Sequence, residues 1–208
     1  MNTLMALALV LRVFDRSGDS AADRQEAMQA ADAILRQADV AATWVDCSSG
    51  ARLASHAICT DPLGTGELVV RMTPAPEEKG PKDKQATEKS PTIHRALGFS
   101  MVEPAIGGTL ATVFTDRVAW LATSARSTYT ALLGRAVAHE IGHLLIGSNE
   151  HSTSGLMRAV WTAAELARND GDDWLFTTHD RARLQRSRIG HDHIRMADSS
   201  VDDNPDES

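Results

Sequence analysis

The reading of this chain turns on one stretch, His139-Glu140-Ile141-Gly142-His143-Leu144-Leu145-Ile146-Gly147-Ser148-Asn149-Glu150-His151-Ser152. Residues 128–138 before it hold no proline and one glycine, Gly134. They read as a helix, with Ser127 as N-cap, that continues through both histidines. On a helix, positions i and i+4 lie one turn apart on the same face. His139 and His143 can therefore offer two imidazole nitrogens to one ion at about 2.1 Å. Glu140 sits on an adjoining face, placed to take a proton from a metal-bound water without being a ligand. Val137, Ile141, Leu144 and Leu145 form a separate apolar stripe, which buries the helix and aims its polar face at a cleft.

A catalytic zinc needs a third protein ligand and an open position. Gly147 supplies a left-handed stop for the helix, and His151 follows four residues later, a compact route back to the metal. Three neutral imidazoles would leave one zinc its full charge, so that a bound water acidifies towards a pKa of about 7. The competing readings are plain. The two helical histidines could be surface residues, and His151 could be an exposed loop residue. Glu165, on a helix expected over 162–168, is the main rival as third ligand. His191 and His193 read as solvated, and His56, His94 and His179 as structural or exposed.

Working outward, Leu4 to Phe14 is apolar and β-capable and reads as an inner first strand. It lacks the basic flank of a secretory signal and is shorter than a membrane span. Ser20 looks like an N-cap with Asp23 as its capping-box partner, and Ala27, Ala31, Ile34 and Leu35 recur at helical spacing to about Ala38. Thr43–Asp46 and Leu68–Met72 read as further strands, and Thr109–Val113 as a fourth. A strand-helix-strand opening predicts two parallel strands with the helix on one face. Pro74 to Pro91 has no periodicity and reads as a mobile surface loop. Met196 to Ser208 is acidic and reads as a disordered tail. The domain is expected to span 1–195.

The 208 residues suit one globular domain, and 42% hydrophobic residues suffice for a core. A net charge of −7 argues against nucleic acid and anionic membrane as partners. Cys47 and Cys59 could form a disulfide, which would place the chain outside the cytoplasm, or remain two buried thiols.

With these residues in place, the segment resembles the metzincin clan of zinc metalloproteases, its matrixin-like members in particular. The matches are His139-Glu140-x-x-His143, Gly147, His151, the following Ser152, and a methionine turn, Ser154-Gly155-Leu156-Met157. The connection is two residues longer than the clan's pattern, with Gly147 four and His151 eight residues beyond His143. The resemblance implies His139, His143 and His151 as zinc ligands, Glu140 as general base and Met157 as the floor of the site. It also implies an α+β fold with an α/β-like N-terminal half. That fold has a twisted mixed sheet of about four to five strands and two long helices, the second carrying the histidines, then the methionine turn and a C-terminal helix with Thr177 or Thr178 as N-cap. Thr109–Phe114 takes the place of the edge strand beside the substrate, and Arg158 and Trp161 are candidate pocket residues. The expected activity is zinc-dependent hydrolysis of peptide bonds by a monomer, with a catalytically silent zinc-stabilised binding protein as the alternative.

Overall fold

The computed structural model describes residues 9–48, 56–76, 96–103 and 107–186. The loop at 77–91, the tail at 196–208, and His94, His191 and His193 lie outside the described residues. The fold is α+β. Five strands, β1 (Leu9–Asp15), β2 (Ala42–Asp46), β3 (Glu67–Thr73), β4 (Gly98–Glu103) and β5 (Gly107–Phe114), form one sheet in the order β2-β1-β3-β5-β4. The first four in that order run parallel, and β4 is antiparallel to β5. The helices are α1 (Ala21–Gln37), α2 (His56–Thr60), α3 (Thr115–Ala125), α4 (Tyr129–Ile146) and α5 (Ala163–Arg168). A 3-10 turn at Gly171–Trp174 leads to a helix that covers 178–186.

The opening follows the sequence pattern. Leu9, Leu11 and Val13 alternate into the core of β1, which is flanked by β2 and β3. Arg12 is buried on the same strand, and its two terminal nitrogens donate to the carbonyls of Asp61 and Pro62 and to the carboxylate of Glu67. Ser20 caps α1, its hydroxyl accepting from Asp23 N at 3.1 Å. Ala27, Ala31, Ile34 and Leu35 of α1 are buried against α4. The two helices approach closely at Gly134, where a Cβ would stand 2.6 Å from Ala27 O.

Two expectations are corrected. The strand at 109–114 is not the sheet edge: β5 is paired on both sides, with β3 and with β4. The edge belongs to β4, which the hydrophobic pattern conceals because its large residues, Phe99 and Met101, point to solvent while Gly98 and Ser100 point inward. The helix carrying the histidines is capped at Thr128, not Ser127, and Thr128 makes no side-chain cap bond. Helix α3 is an element that the sequence pattern did not announce. Cys47 and Cys59 form a disulfide, Sγ–Sγ 2.00 Å. Among the described residues, no helix is long and apolar enough to cross a membrane.

Candidate metal centre

Helix α4 is the most buried helix of the fold, from Thr130 to Leu144, and it carries His139, Glu140 and His143 with it. Gly147 ends it at φ 71°, and the amides of Gly147 and Ser148 both return to His143 O. The chain then turns through Ser148-Asn149-Glu150 and delivers His151 opposite the two helical histidines. The ligating nitrogens of His139, His143 and His151 all lie within 4.8 Å of one another.

The second ring nitrogens decide what the site can bind. His139 Nδ1 lies 2.9 Å from Leu156 O, and His143 Nδ1 lies 2.8 Å from Ser148 O. A backbone carbonyl only accepts, so each Nδ1 carries the proton and each Nε2 keeps a lone pair. Those two Nε2 atoms are 3.0 Å apart. Two nitrogens on a tetrahedral ion at about 2.05 Å would be roughly 3.3 Å apart, so a small expansion admits the ion. Burial pushes His139 down to about 3, with the field of His143 acting the same way. Burial lowers His143 too, and partial desolvation lowers His151, the exposed member of the three. All three are held neutral at pH 7, the form a metal requires. An all-imidazole set at this spacing fits zinc.

Glu140 does not join the cluster. It is 6% exposed, and its Oε2 accepts from Ser100 Oγ of β4 at 2.7 Å. Burial pushes its carboxyl up to about 7, against the opposing pull of that hydroxyl. Gly98 gives it room: a Cβ there would stand 2.8 Å from Glu140 Oε1. Below the helix, Met157 is 1% exposed, and a Cβ on Gly142 would meet its sulfur at 2.7 Å. Met157 thus packs directly under the turn of α4 between the two histidines. The loop from His151 to Met157 is closed by Ser152 N donating to Met157 O, 2.8 Å, and held to the residue after the 3-10 turn by Leu156 N donating to Leu175 O, 2.8 Å.

The structure does not bring Glu165 to the histidines. Its Oε2 accepts from Thr162 N at 2.9 Å and Thr162 Oγ1 at 2.7 Å, the capping box of α5. His179 is exposed. Arg158 and Trp161 do border the cleft, with the Trp161 ring edge-on to His139 at 5.6 Å. Residues that sequence reasoning missed are Ser100 and Gly98 on the concealed edge strand, Trp120 on α3, and Asp180, whose Thr177-x-x-Asp180 spacing was a legible capping signal. A cleft of about 1240 Å³ runs along β4, the three histidines and the segment 158–163.

The fold, taken by itself, is metzincin-like. Among solved structures it is similar to archaemetzincin from Methanopyrus kandleri, with a TM-score of 0.56, 15% identity, and coverage of 90% of this chain and 99% of that one. At that identity the likeness carries the fold, and it does not single out the matrixins. No family model matches the chain, and no curated protein matches it.

Proposed function

We propose that this chain is a zinc-dependent endopeptidase in which His139, His143 and His151 hold one zinc and Glu140 is the general base. The observation that carries the reading is the pairing of two features at one place. Three neutral imidazoles have their ligating nitrogens within 4.8 Å, and a buried carboxyl tuned to about 7 stands on the same helix turn. A purely structural metal needs no such carboxyl. A zinc held there would supply Lewis acidity to the scissile carbonyl and acidify the attacking water. Glu140 then takes the proton of that water and returns it to the leaving amine, a role matched to a carboxyl that titrates near neutrality. Among the described residues the outer edge of β4 is unpaired, and it would offer backbone groups to an extended peptide, which would add to the sheet as a further strand. The cleft exceeds the roughly 300–1,000 Å³ of ordinary small-ligand pockets, in keeping with a polymeric substrate. Ser152 after His151, and Met157 beneath the site, support a matrixin-like arrangement of these parts. The Cys47–Cys59 disulfide supports an extracytoplasmic setting.

The test is Glu140→Gln against wild type, each with zinc content measured, on a fluorogenic peptide library. Wild type is expected to hold one zinc and cleave. The variant should hold zinc with turnover lower by about 10²–10⁴, the usual contribution of a general base. Cleavage by the variant at the wild-type rate would overturn the mechanism.

A further inference from the structure

We propose that Asp180 is a positioning residue for the metal centre: through Ser152 it fixes the loop that presents His151, and it sets a buried negative charge within reach of His139. The inference rests on the zinc reading above.

Asp180 lies in the first turn of the helix at 178–186 and is 0% exposed. One of its oxygens has an ordinary task. Oδ2 accepts from Thr177 N at 3.1 Å and Thr177 Oγ1 at 2.7 Å, while Asp180 N donates back to Thr177 Oγ1 at 3.1 Å. That closes a capping box, a motif that needs neither full burial nor a second acceptor. The other oxygen does something else. Oδ1 accepts from Ser152 Oγ at 2.5 Å, across 28 residues of sequence. Ser152 follows His151 directly, and its amide is held by Met157 O at 2.8 Å. The lengthened loop is therefore clamped immediately after its ligand, between the methionine turn and the C-terminal helix.

The charge points the same way. Among the described residues, the donors to the Asp180 carboxylate are all uncharged: Ser152 Oγ, Thr177 N and Thr177 Oγ1. A buried carboxylate without a cation is costly. Its field reaches His139, where it favours positive charge. Three imidazoles neutralise none of an ion's charge, so a dication held there would supply a counter-charge to a carboxylate that no cationic side chain among the described residues bonds. Outer partners of this kind orient ligands and strengthen the metal's hold.

Two variants separate the two contributions. Asp180→Asn keeps the shape, and its amide can still bond Ser152 Oγ, so it removes chiefly the charge. Ser152→Ala keeps the charge and removes the tether. Zinc affinity is measured by chelator competition for wild type, each variant and the pair, together with the melting temperature of the chelator-treated and zinc-loaded forms. Each single change is expected to weaken zinc binding about 10–100-fold. The pair should lose less than the product of the two, because both act on one loop. Metal-free Asp180→Asn should melt no lower than metal-free wild type, while its zinc-loaded form melts below zinc-loaded wild type. Zinc affinities within twofold of wild type in both variants would overturn the inference. So would an equal drop in melting temperature with and without zinc, the mark of a helix cap alone. Should Asp180→Asn fail to fold, Ser152→Ala decides by the same twofold threshold. A wild type that takes up no zinc overturns the function proposed above along with this inference. A wild type that binds zinc tightly beside unaffected variants overturns this inference alone.

Discussion

Ser100 Oγ lies 2.7 Å from Glu140 Oε2 and 2.7 Å from Glu140 O, so the edge strand grips α4 at the residue that follows His139. The hydroxyl has one proton and two acceptors. When Glu140 is ionised, the proton goes to the carboxylate. When Glu140 is protonated, the carboxyl can donate to Ser100 while Ser100 donates to the backbone carbonyl. One side chain thus serves both states of the base.

Ser100→Ala should shift the acid limb of activity. The hydroxyl favours ionised Glu140 and opposes the rise that burial imposes. Without it, Glu140 holds its proton to higher pH and the base form appears later. A hydrogen bond to a charged group is worth about 1.5 kcal/mol, and one pKa unit corresponds to about 1.4 kcal/mol. Because Ser100 also bonds the protonated form, the lower limb of the kcat/KM profile is expected to move up by less than about one pH unit. A limb that stays in place would mean that Ser100 has no hold on the base.

The stability of the metal-free protein should show the same buried carboxyl from the other side. Its folded value of about 7 exceeds the ordinary 4.5. The folded state therefore binds the proton more tightly, and the contribution of protonated Glu140 is fully present below about pH 4.5. It is lost as pH rises through about 7. Glu140→Gln carries no such penalty. With chelator present, the variant should match wild type near pH 4.5 and exceed it by up to about 3 kcal/mol above pH 7, in denaturant titrations at both pH values. The depressed histidines are common to both proteins and largely cancel in the difference. A stability gap independent of pH would refute the buried ionisation.

Ligand identity is open to a paired test. His151→Ala should lose zinc by more than the 10–100-fold typical of outer-sphere changes, since it removes a direct donor. Glu165→Ala should leave zinc affinity unaltered, because its carboxylate caps α5 and reaches Arg158 at 3.5 Å instead. Metal analysis after purification in trace zinc checks both, and the reverse pattern would exchange their roles.

The centre of the site was legible in the sequence because each part obeys a local rule. The i, i+4 spacing puts His139 and His143 on one face, and Gly147 is a left-handed stop at φ 71°. The β-α-β opening was legible for the same reason, with Val10 of β1 registered on Thr43 of β2 in parallel. The edge strand was not legible. Its inward residues, Gly98 and Ser100, are small because helix α4 and Glu140 lie against them, so the apolar period marks the wrong face. Helix α3 hides similarly: its buried stripe is Val118, Ala122 and Ala125, while Trp120 is 64% exposed beside the cleft. Misplacing the edge onto 109–114 followed from these two silences, since β5 is the more apolar strand. The tether from Ser152 to Asp180 spans too many residues for any local rule.

The methionine floor yields a prediction with competing signs. Alanine for glycine inside a helix ordinarily gains about 1 kcal/mol. At Gly142 the added Cβ would stand 2.7 Å from Met157 Sδ and 2.7 Å from Phe176 Cε1, both buried. Overpacking of a filled core costs about 1–3 kcal/mol, so Gly142→Ala should be destabilising on balance, by about 1 kcal/mol. The displacement falls on Met157, whose carbonyl holds Ser152, so zinc affinity should fall together with melting temperature. Shortening the floor should relieve both: Gly142→Ala combined with Met157→Ala is expected to be less damaging than the sum of the single changes. A Gly142→Ala protein that melts and binds zinc like wild type would show that the floor yields freely. Met157 would then be core packing with no part in holding the centre.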